Sequence, residues 1–229
     1  MATMEETKDI WRKADAVCFD VDSTVSTEEA IDELAAHCGV GQEVAQWTKK
    51  AMDGSITYKE TLEARMTIIH PTMDQVKAFI DDHPPAKYLT PGVTELIQLL
   101  HARGTAVYLV TGGFFCTVVE LAKALQIPEE NIFANRMKFY YSGDFAGFCE
   151  EQPTCEAGGK PKVVGSLKQK HGYQNLVMIG DGATDLEACP PADAFIGFGG
   201  NKIRPKVQEC AQWFVSSFQE LINALNESS

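Results

Sequence analysis

The chain has 229 residues, 45% of them hydrophobic and 23% charged, with a formal net charge of -12. That balance describes a folded globular protein with room for one full domain and a smaller insertion. It excludes a general binder of nucleic acid or anionic membrane, since either needs a positive surface field, and an anionic substrate must therefore meet a local cluster of cations. Seven cysteines with no Cys-x-x-Cys pair give no disulfide framework. Met1 to Trp11 mixes charges with no apolar stretch, and no segment has the length of a membrane span. A reducing, cytosolic compartment is expected.

In chain order, Thr7 to Lys13 reads as a lead-in helix and Ala16 to Asp20 as the first strand. The pattern from Ser26 to His83 is purely helical, broken at Gly39, Gly41, Gly54 and Pro71, with capping boxes at Thr57-x-x-Glu60 and Thr72-x-x-Gln75. It predicts an inserted helical cap over residues 26–85, closed by Pro84-Pro85. After Thr90-Pro91-Gly92 helix and strand alternate, the mark of a parallel sheet covered on both faces. A helix is expected over Val93 to Ala102, a strand over Ala106 to Val110, a helix over Phe115 to Leu125 ended by Pro128, and a short strand over Ile132 to Ala134. Met137 to Tyr141 and Phe145 to Phe148 form an expected hairpin, an appendage at one edge of the sheet. Lys162 to His171 is the next helix, Leu176 to Ile179 and Phe195 to Phe198 are strands, and Ser217 to Leu225 is a closing helix. Residues 1–25 and 86–229 make up the expected core.

Open parallel sheets bind ligands beyond the carboxyl ends of their strands. Four stretches there have suitable chemistry. Asp20 and Asp22 end the first strand, and an extended chain turns both to one side, where two like charges oppose each other's ionisation until a cation joins them. Such an acidic pair suits Mg2+, which takes carboxylate and phosphate oxygens. Thr111-Gly112-Gly113 follows the second strand, Lys160 lies before a helix, and Asp181 with Asp185 follows a later strand. Each has an ordinary structural reading as a turn, a solvated cation or a helix cap, but together, in this order, they suggest phosphoryl chemistry.

The motifs Asp20-Val21-Asp22-Ser23-Thr24, Thr111-Gly112-Gly113, Lys160 and Gly180-Asp181-Gly182-Ala183-Thr184-Asp185 resemble those of the haloacid dehalogenase-like hydrolases. The helical insertion, Glu28-Glu29, Ala51-Met52, Arg65, Gly158-Gly159-Lys160 and Ala188-Cys189-Pro190-Pro191-Ala192-Asp193 extend the similarity to the eukaryotic cytosolic branch of that superfamily that hydrolyses O-phospho-L-serine. The resemblance implies an α/β fold, a Rossmann-like doubly wound parallel sheet with an inserted helical cap. It also implies Mg2+ as cofactor, L-serine and phosphate as products, and a homodimer at the level of the family.

Under that resemblance Asp20 is the nucleophile that forms an aspartyl-phosphate, and Asp22 is the general acid and base. Mg2+ is held by Asp20, the main-chain carbonyl of Asp22, and Asp181, with Asp185 behind them orienting water or Lys160. Thr111, Gly112, Gly113 and Lys160 hold the phosphate oxygens. In the cap, Tyr58, Leu62, Arg65 and Ile69 share a helix face, so a guanidinium interrupts an apolar stripe. Its fork suits a substrate carboxylate, while a snorkelling stem is the competing reading. Glu29 is assigned to the substrate ammonium, although Ser26-x-x-Glu29 also matches a capping box. Met52 and Tyr58 line the apolar wall, and Thr184 reaches phosphate or substrate.

Three residues depart from the family pattern. Thr111 replaces the commoner Ser and keeps the hydroxyl, Asp53 stands where Gly is common in a loop that closes over phosphate, and Phe115 replaces an Arg near the entrance. Two other readings of the same residues stay open. One is a phosphomonoesterase of broader choice, since a fold does not name a substrate; the other is a phospho-aspartate signalling or phosphate-binding module.

Overall fold

The computed structural model describes residues 3–52 and 57–227, without the side chains of residues 48–52. In chain order the helices are α1 (Met4–Arg12), α2 (Ala30–His37), α3 (Gly41–Met52), α4 (Tyr58–Ile69), α5 (Met73–Asp82), α6 (Val93–Ala102), α7 (Phe115–Ala124), α8 (Gly159–His171), α9 (Ala183–Leu186), α10 (Pro205–Cys210) and α11 (Phe218–Asn226). The strands are β1 (Ala16–Phe19), β2 (Ala106–Phe114), β3 (Ile132–Asn135), β4 (Met137–Phe139), β5 (Phe145–Phe148), β6 (Leu176–Gly180), β7 (Ala194–Phe198) and β8 (Trp213–Val215).

The four residues of β1 are apolar and fully buried because both faces of the sheet are covered. Their side chains alternate. Val17 and Phe19 enter a core with α1, α6, α7 and α11, where Trp11, Leu96, Val118 and Phe218 meet them, while Ala16 and Cys18 enter the opposite core with Val163, Val164 and Leu167 of α8. Six strands form one parallel sheet in the order β3-β2-β1-β6-β7-β8. The connections run one way from β1 to β2 and β3 and the other way to β6, β7 and β8, so the order reverses beside β1. That crevice is where a doubly wound sheet takes its ligand.

Helices α2 to α5 share their own apolar cluster, in which Leu34, Val44, Leu62, Met66, Val76 and Phe79 are buried. Each such side chain contributes about 1.5–3 kcal/mol on burial. Thr57 and Thr72 form the expected capping boxes with Glu60 and Gln75. The antiparallel β4-β5 pair, expected at the sheet's edge, is instead a separate two-stranded sheet, and its Phe145 and Phe148 join the helical cluster. Phe145 and Phe148, with Met137 and Phe139 packed beside them, give the hairpin an apolar side that is covered by the cap helices rather than by the six-stranded sheet.

Other differences are local. Strand β2 continues through Thr111-Gly112-Gly113 to Phe114 instead of turning at Thr111. Helix α7 ends by Leu125, with Gln126 left-handed, before Pro128 is reached. Helix α8 starts at Gly159, so Lys160 stands inside its first turn and not ahead of it; the left-handed Gly158 (φ 72°) supplies the N-cap. Helix α10 and strand β8 are additional to the expected elements. Among the described residues no helix is long and apolar enough to cross a membrane.

Candidate active site

The carboxyl ends of β1, β2 and β6 open on a cavity of about 320 Å³, lined by residues including Asp20, Asp22, Thr111, Gly112, Lys160 and Asp181 from the sheet side and Tyr58 and Arg65 from α4. The backbone that aims the two aspartates is a wide turn, not a continued strand. Asp20 is extended, Ser23 is left-handed at φ 57°, and the Ser26 N–H returns to the Val21 carbonyl. Asp20 and Asp22 therefore share the cavity because the chain coils after β1, and the strand pleat is not the reason.

Asp20 Oδ1 accepts from the Val21 N–H at 2.8 Å and from Lys160 Nζ at 2.7 Å. Lys160 also reaches Asp185 Oδ1 at 2.6 Å, and Asp185 Oδ2 accepts from the Gly182 N–H at 2.9 Å. The lysine thus stands between two buried carboxylates. Burial opposes its charge, but Asp185 and Asp20 outweigh that and raise its pKa above the usual range. Asp20, Asp181 and Asp185 present oxygens all within 4.8 Å of one another, and all three residues are buried. Burial first, then the charge of Asp20, pushes Asp181 up to about 6 and raises Asp185. A set of oxygen donors whose charges are held back by burial and mutual repulsion fits a hard divalent cation, which relieves both.

Asp22 Oδ1 accepts from the Ala30 N–H at 3.0 Å, at the start of α2. Burial, Glu29 and Asp20 push its pKa up to about 7 from 3.8. A carboxyl raised in this way holds its proton more tightly folded than unfolded. Stability is lost as pH rises from about 4 to 7 and the loss is complete above 7. In metal-free protein Asp22→Asn is expected to raise stability at pH 8 by up to about 4 kcal/mol and to leave it unchanged near pH 3. Urea melts at the two pH values, with chelator present, check this.

Thr111 Oγ1 accepts from the Gly113 N–H at 2.9 Å. Tyr58 donates to the Gly112 carbonyl at 3.0 Å, and a Cβ at position 112 would lie 1.8 Å from that hydroxyl, so the glycine lets the cap close on β2. Thr184 lines the cavity and is half-buried. Arg65 pairs through one terminal nitrogen with Asp32, while its Nε–H is buried with no partner. The snorkelling reading is thereby replaced by a guanidinium held in the cavity wall.

Glu29 is differently placed from either expectation. It is the N-cap residue of α2 with no capping bond, and Ser26 turns its hydroxyl to the Glu28 N–H, so the Ser26–Glu29 box does not form. Glu29 accepts instead from Ser23 at 3.0 Å, Arg204 at 3.1 Å and Lys202 at 3.3 Å. Burial raises its pKa, but Lys202, Ser23 and Arg204 together hold it below the usual value. Arg204 also donates to Asp181 at 2.7 Å. Sequence reasoning missed Arg204, Lys202 and Asn201, whose amide binds the Thr90 hydroxyl at 2.6 Å and the Ser23 carbonyl at 3.2 Å. The signal was present: Gly199-Gly200-Asn201-Lys202-Ile203-Arg204 follows the carboxyl end of β7, the same position that singled out the other loops. The Met52 side chain and Asp53 lie outside the described residues. Phe115 packs its ring 4.0 Å from the Arg136 guanidinium.

A crevice at the strand switch point, an acidic cluster, a lysine and a glycine-flanked threonine define a phosphoryl-transfer hydrolase of the α/β type. Residues 14–193 match the haloacid dehalogenase-like hydrolase family, and the chain belongs to it. Within that family it is 52% identical to the phosphoserine phosphatase of Rattus norvegicus over 99% of this chain and all of the relative. Among solved structures, a phospho-aspartyl intermediate analogue of phosphoserine phosphatase superposes with a TM-score of 0.78 at 27% identity, over 92% of this chain and 98% of that one. The structure of DsGPDH of Dunaliella salina gives a TM-score of 0.86 at 36% identity over 98% of this chain, which spans only 38% of that longer protein.

Proposed function

We propose that the chain is a phosphoserine phosphatase, hydrolysing O-phospho-L-serine to L-serine and phosphate through an aspartyl-phosphate on Asp20. The observation that carries the reading is the pairing of an Asp20–Lys160–Asp185 cluster below the cavity with a partly unsatisfied guanidinium, Arg65, above it. A phosphate at one end and an amino-acid carboxylate at the other fit that spacing of charge.

Asp20 attacks phosphorus and the serine oxygen leaves in line, taking the proton that Asp22 holds with a pKa near 7. The first step thus moves the phosphoryl group to a carboxylate oxygen and releases neutral serine. Asp22, now ionised, takes a proton from water as the water oxygen attacks the same phosphorus, and Asp20 is regenerated with release of phosphate. Lys160 and the Thr111 hydroxyl hold equatorial oxygens. Asp20, Asp181 and the Asp22 carbonyl would hold Mg2+, with Asp185 behind them, and the ion would supply charge neutralisation at the phosphate oxygens. Tyr58 closes the apolar side, and Thr184 lies at the phosphate end. Glu29 serves the substrate ammonium once Arg204 or Lys202 gives up its hold. The free state of the described cysteines supports a cytosolic location, and this activity would complete serine synthesis there. A homodimer is retained from the resemblance and is checked by light scattering.

The test is phosphate release from L-phosphoserine beside phosphothreonine, phosphotyrosine, a sugar phosphate and pyrophosphate, with Mg2+ or chelator. A strong preference for phosphoserine, lost with chelator, is expected; equal turnover of the panel overturns the substrate assignment. Arg65→Lys should raise KM for phosphoserine by about 10- to 100-fold, the worth of one charge-assisted pair. Phosphoethanolamine, which lacks the carboxylate, should not register the change.

A further inference from the structure

We propose a second metal site, for a transition-metal dication of the zinc class, formed by Glu28, Glu33 and His83 where the chain passes into and out of the helical cap. Each residue offers one ligand atom, and the three atoms lie within 4.8 Å of one another. The Thr27 N–H donates to the Tyr88 carbonyl and Ser26 bridges Leu89 in antiparallel fashion, so the two connecting segments run side by side at this point. Glu28 belongs to the outgoing segment, Glu33 to α2, and His83 to the returning segment.

Pairs of surface carboxylates are common, and the imidazole is what sets this group apart. His83 Nδ1 lies 2.8 Å from the Phe79 carbonyl, which can only accept, so Nδ1 carries the hydrogen and, in the neutral ring, Nε2 is the nitrogen with the lone pair. A backbone carbonyl on the far nitrogen is the usual way a metal-binding histidine is oriented. The ring is further held between Phe79, at 4.1 Å between centroids, and Tyr88, at 5.3 Å. Among the described residues neither carboxylate pairs with a lysine or arginine; burial and then Glu33 raise the pKa of Glu28. His37, one turn beyond Glu33, brings a second imidazole 6.5 Å from His83. A cavity of about 50 Å³ opens beside the three, with room for an ion and a water. Two carboxylates and one neutral imidazole match zinc-type coordination with an open fourth position, whereas the all-oxygen cluster of Asp20, Asp181 and Asp185 suits a harder ion. An ion there would fasten the two connecting segments together.

The test titrates ZnCl2 against a chromophoric chelator with protein held in excess Mg2+. One zinc per chain is expected, with affinity reduced at least tenfold by His83→Gln and by Glu33→Gln and unchanged by Asp181→Asn. Zinc-edge X-ray absorption should show only nitrogen and oxygen neighbours. Phosphate release without zinc, measured separately, should be the same in His83→Gln as in the unaltered chain. Zinc binding that is indifferent to both substitutions, that is abolished by Asp181→Asn, or that shows a sulfur neighbour overturns the proposal. Should His83→Gln fail to fold, the half-buried Glu33→Gln decides alone.

Discussion

Asp20→Asn is expected to lower kcat for phosphoserine by roughly 10⁴-fold or more, because the amide cannot accept a phosphoryl group and no neighbouring residue is placed to replace it. The fold should survive. Asn keeps a carbonyl oxygen for the Val21 N–H, and Lys160 keeps Asp185 as its counter-charge. Removing Asp20 also removes a charge that raises the pKa of Asp22, Asp181 and Asp185, so the metal-free variant should melt no lower than the unaltered protein. Circular-dichroism melting and phosphate release, run together, check both halves. A variant that keeps more than a few per cent of activity would remove Asp20 from the chemistry.

Asp22→Asn is expected to cost roughly 10²- to 10⁴-fold in kcat for phosphoserine, the range for loss of a positioned acid and base. The pattern across leaving groups carries more information than the size. A serine alkoxide needs the proton that Asp22 supplies, whereas an acidic phenol does not. With an aryl phosphate the variant should therefore release one equivalent of phenol at nearly the unaltered rate and then stall, because the second step still needs a base for water. Stopped-flow absorbance reads that burst. Equal slowing of the first turnover with both substrates would mean that Asp22 only positions Asp20.

The strands were legible because buried parallel strands are short apolar runs, and β1, β2, β6 and β7 begin within a residue of where those runs begin. Thr57 and Thr72 announced their helices because a capping box is a local hydrogen-bond pattern that needs no tertiary partner. Ser26–Glu29 has the same spacing and failed because tertiary charges, Arg204 and Lys202, claim the glutamate. Nothing within four residues of Glu29 could have revealed cations that lie more than 170 positions along the chain. The lysine of the cluster was found but misplaced relative to its helix, since Gly158-Gly159 reads as a breaker; in the fold Gly158 takes the left-handed cap and Gly159 gives way to the Pro153 carbonyl, 2.0 Å from where a Cβ would lie. The paired aspartates were recognised for a partly wrong reason, as the turn at Ser23 and not the strand period brings them to one cavity.

The central claim is that Asp20 carries the phosphoryl group between serine and water. Rapid acid quench of the unaltered enzyme turning over L-phosphoserine, followed by reductive trapping with tritiated borohydride and peptide mapping, tests it directly. The account predicts label on Asp20 during turnover, absent in Asp20→Asn and accumulated in Asp22→Asn when an aryl phosphate is the donor. Turnover of phosphoserine with label on another side chain, or with Asp20 never labelled during turnover, would contradict it.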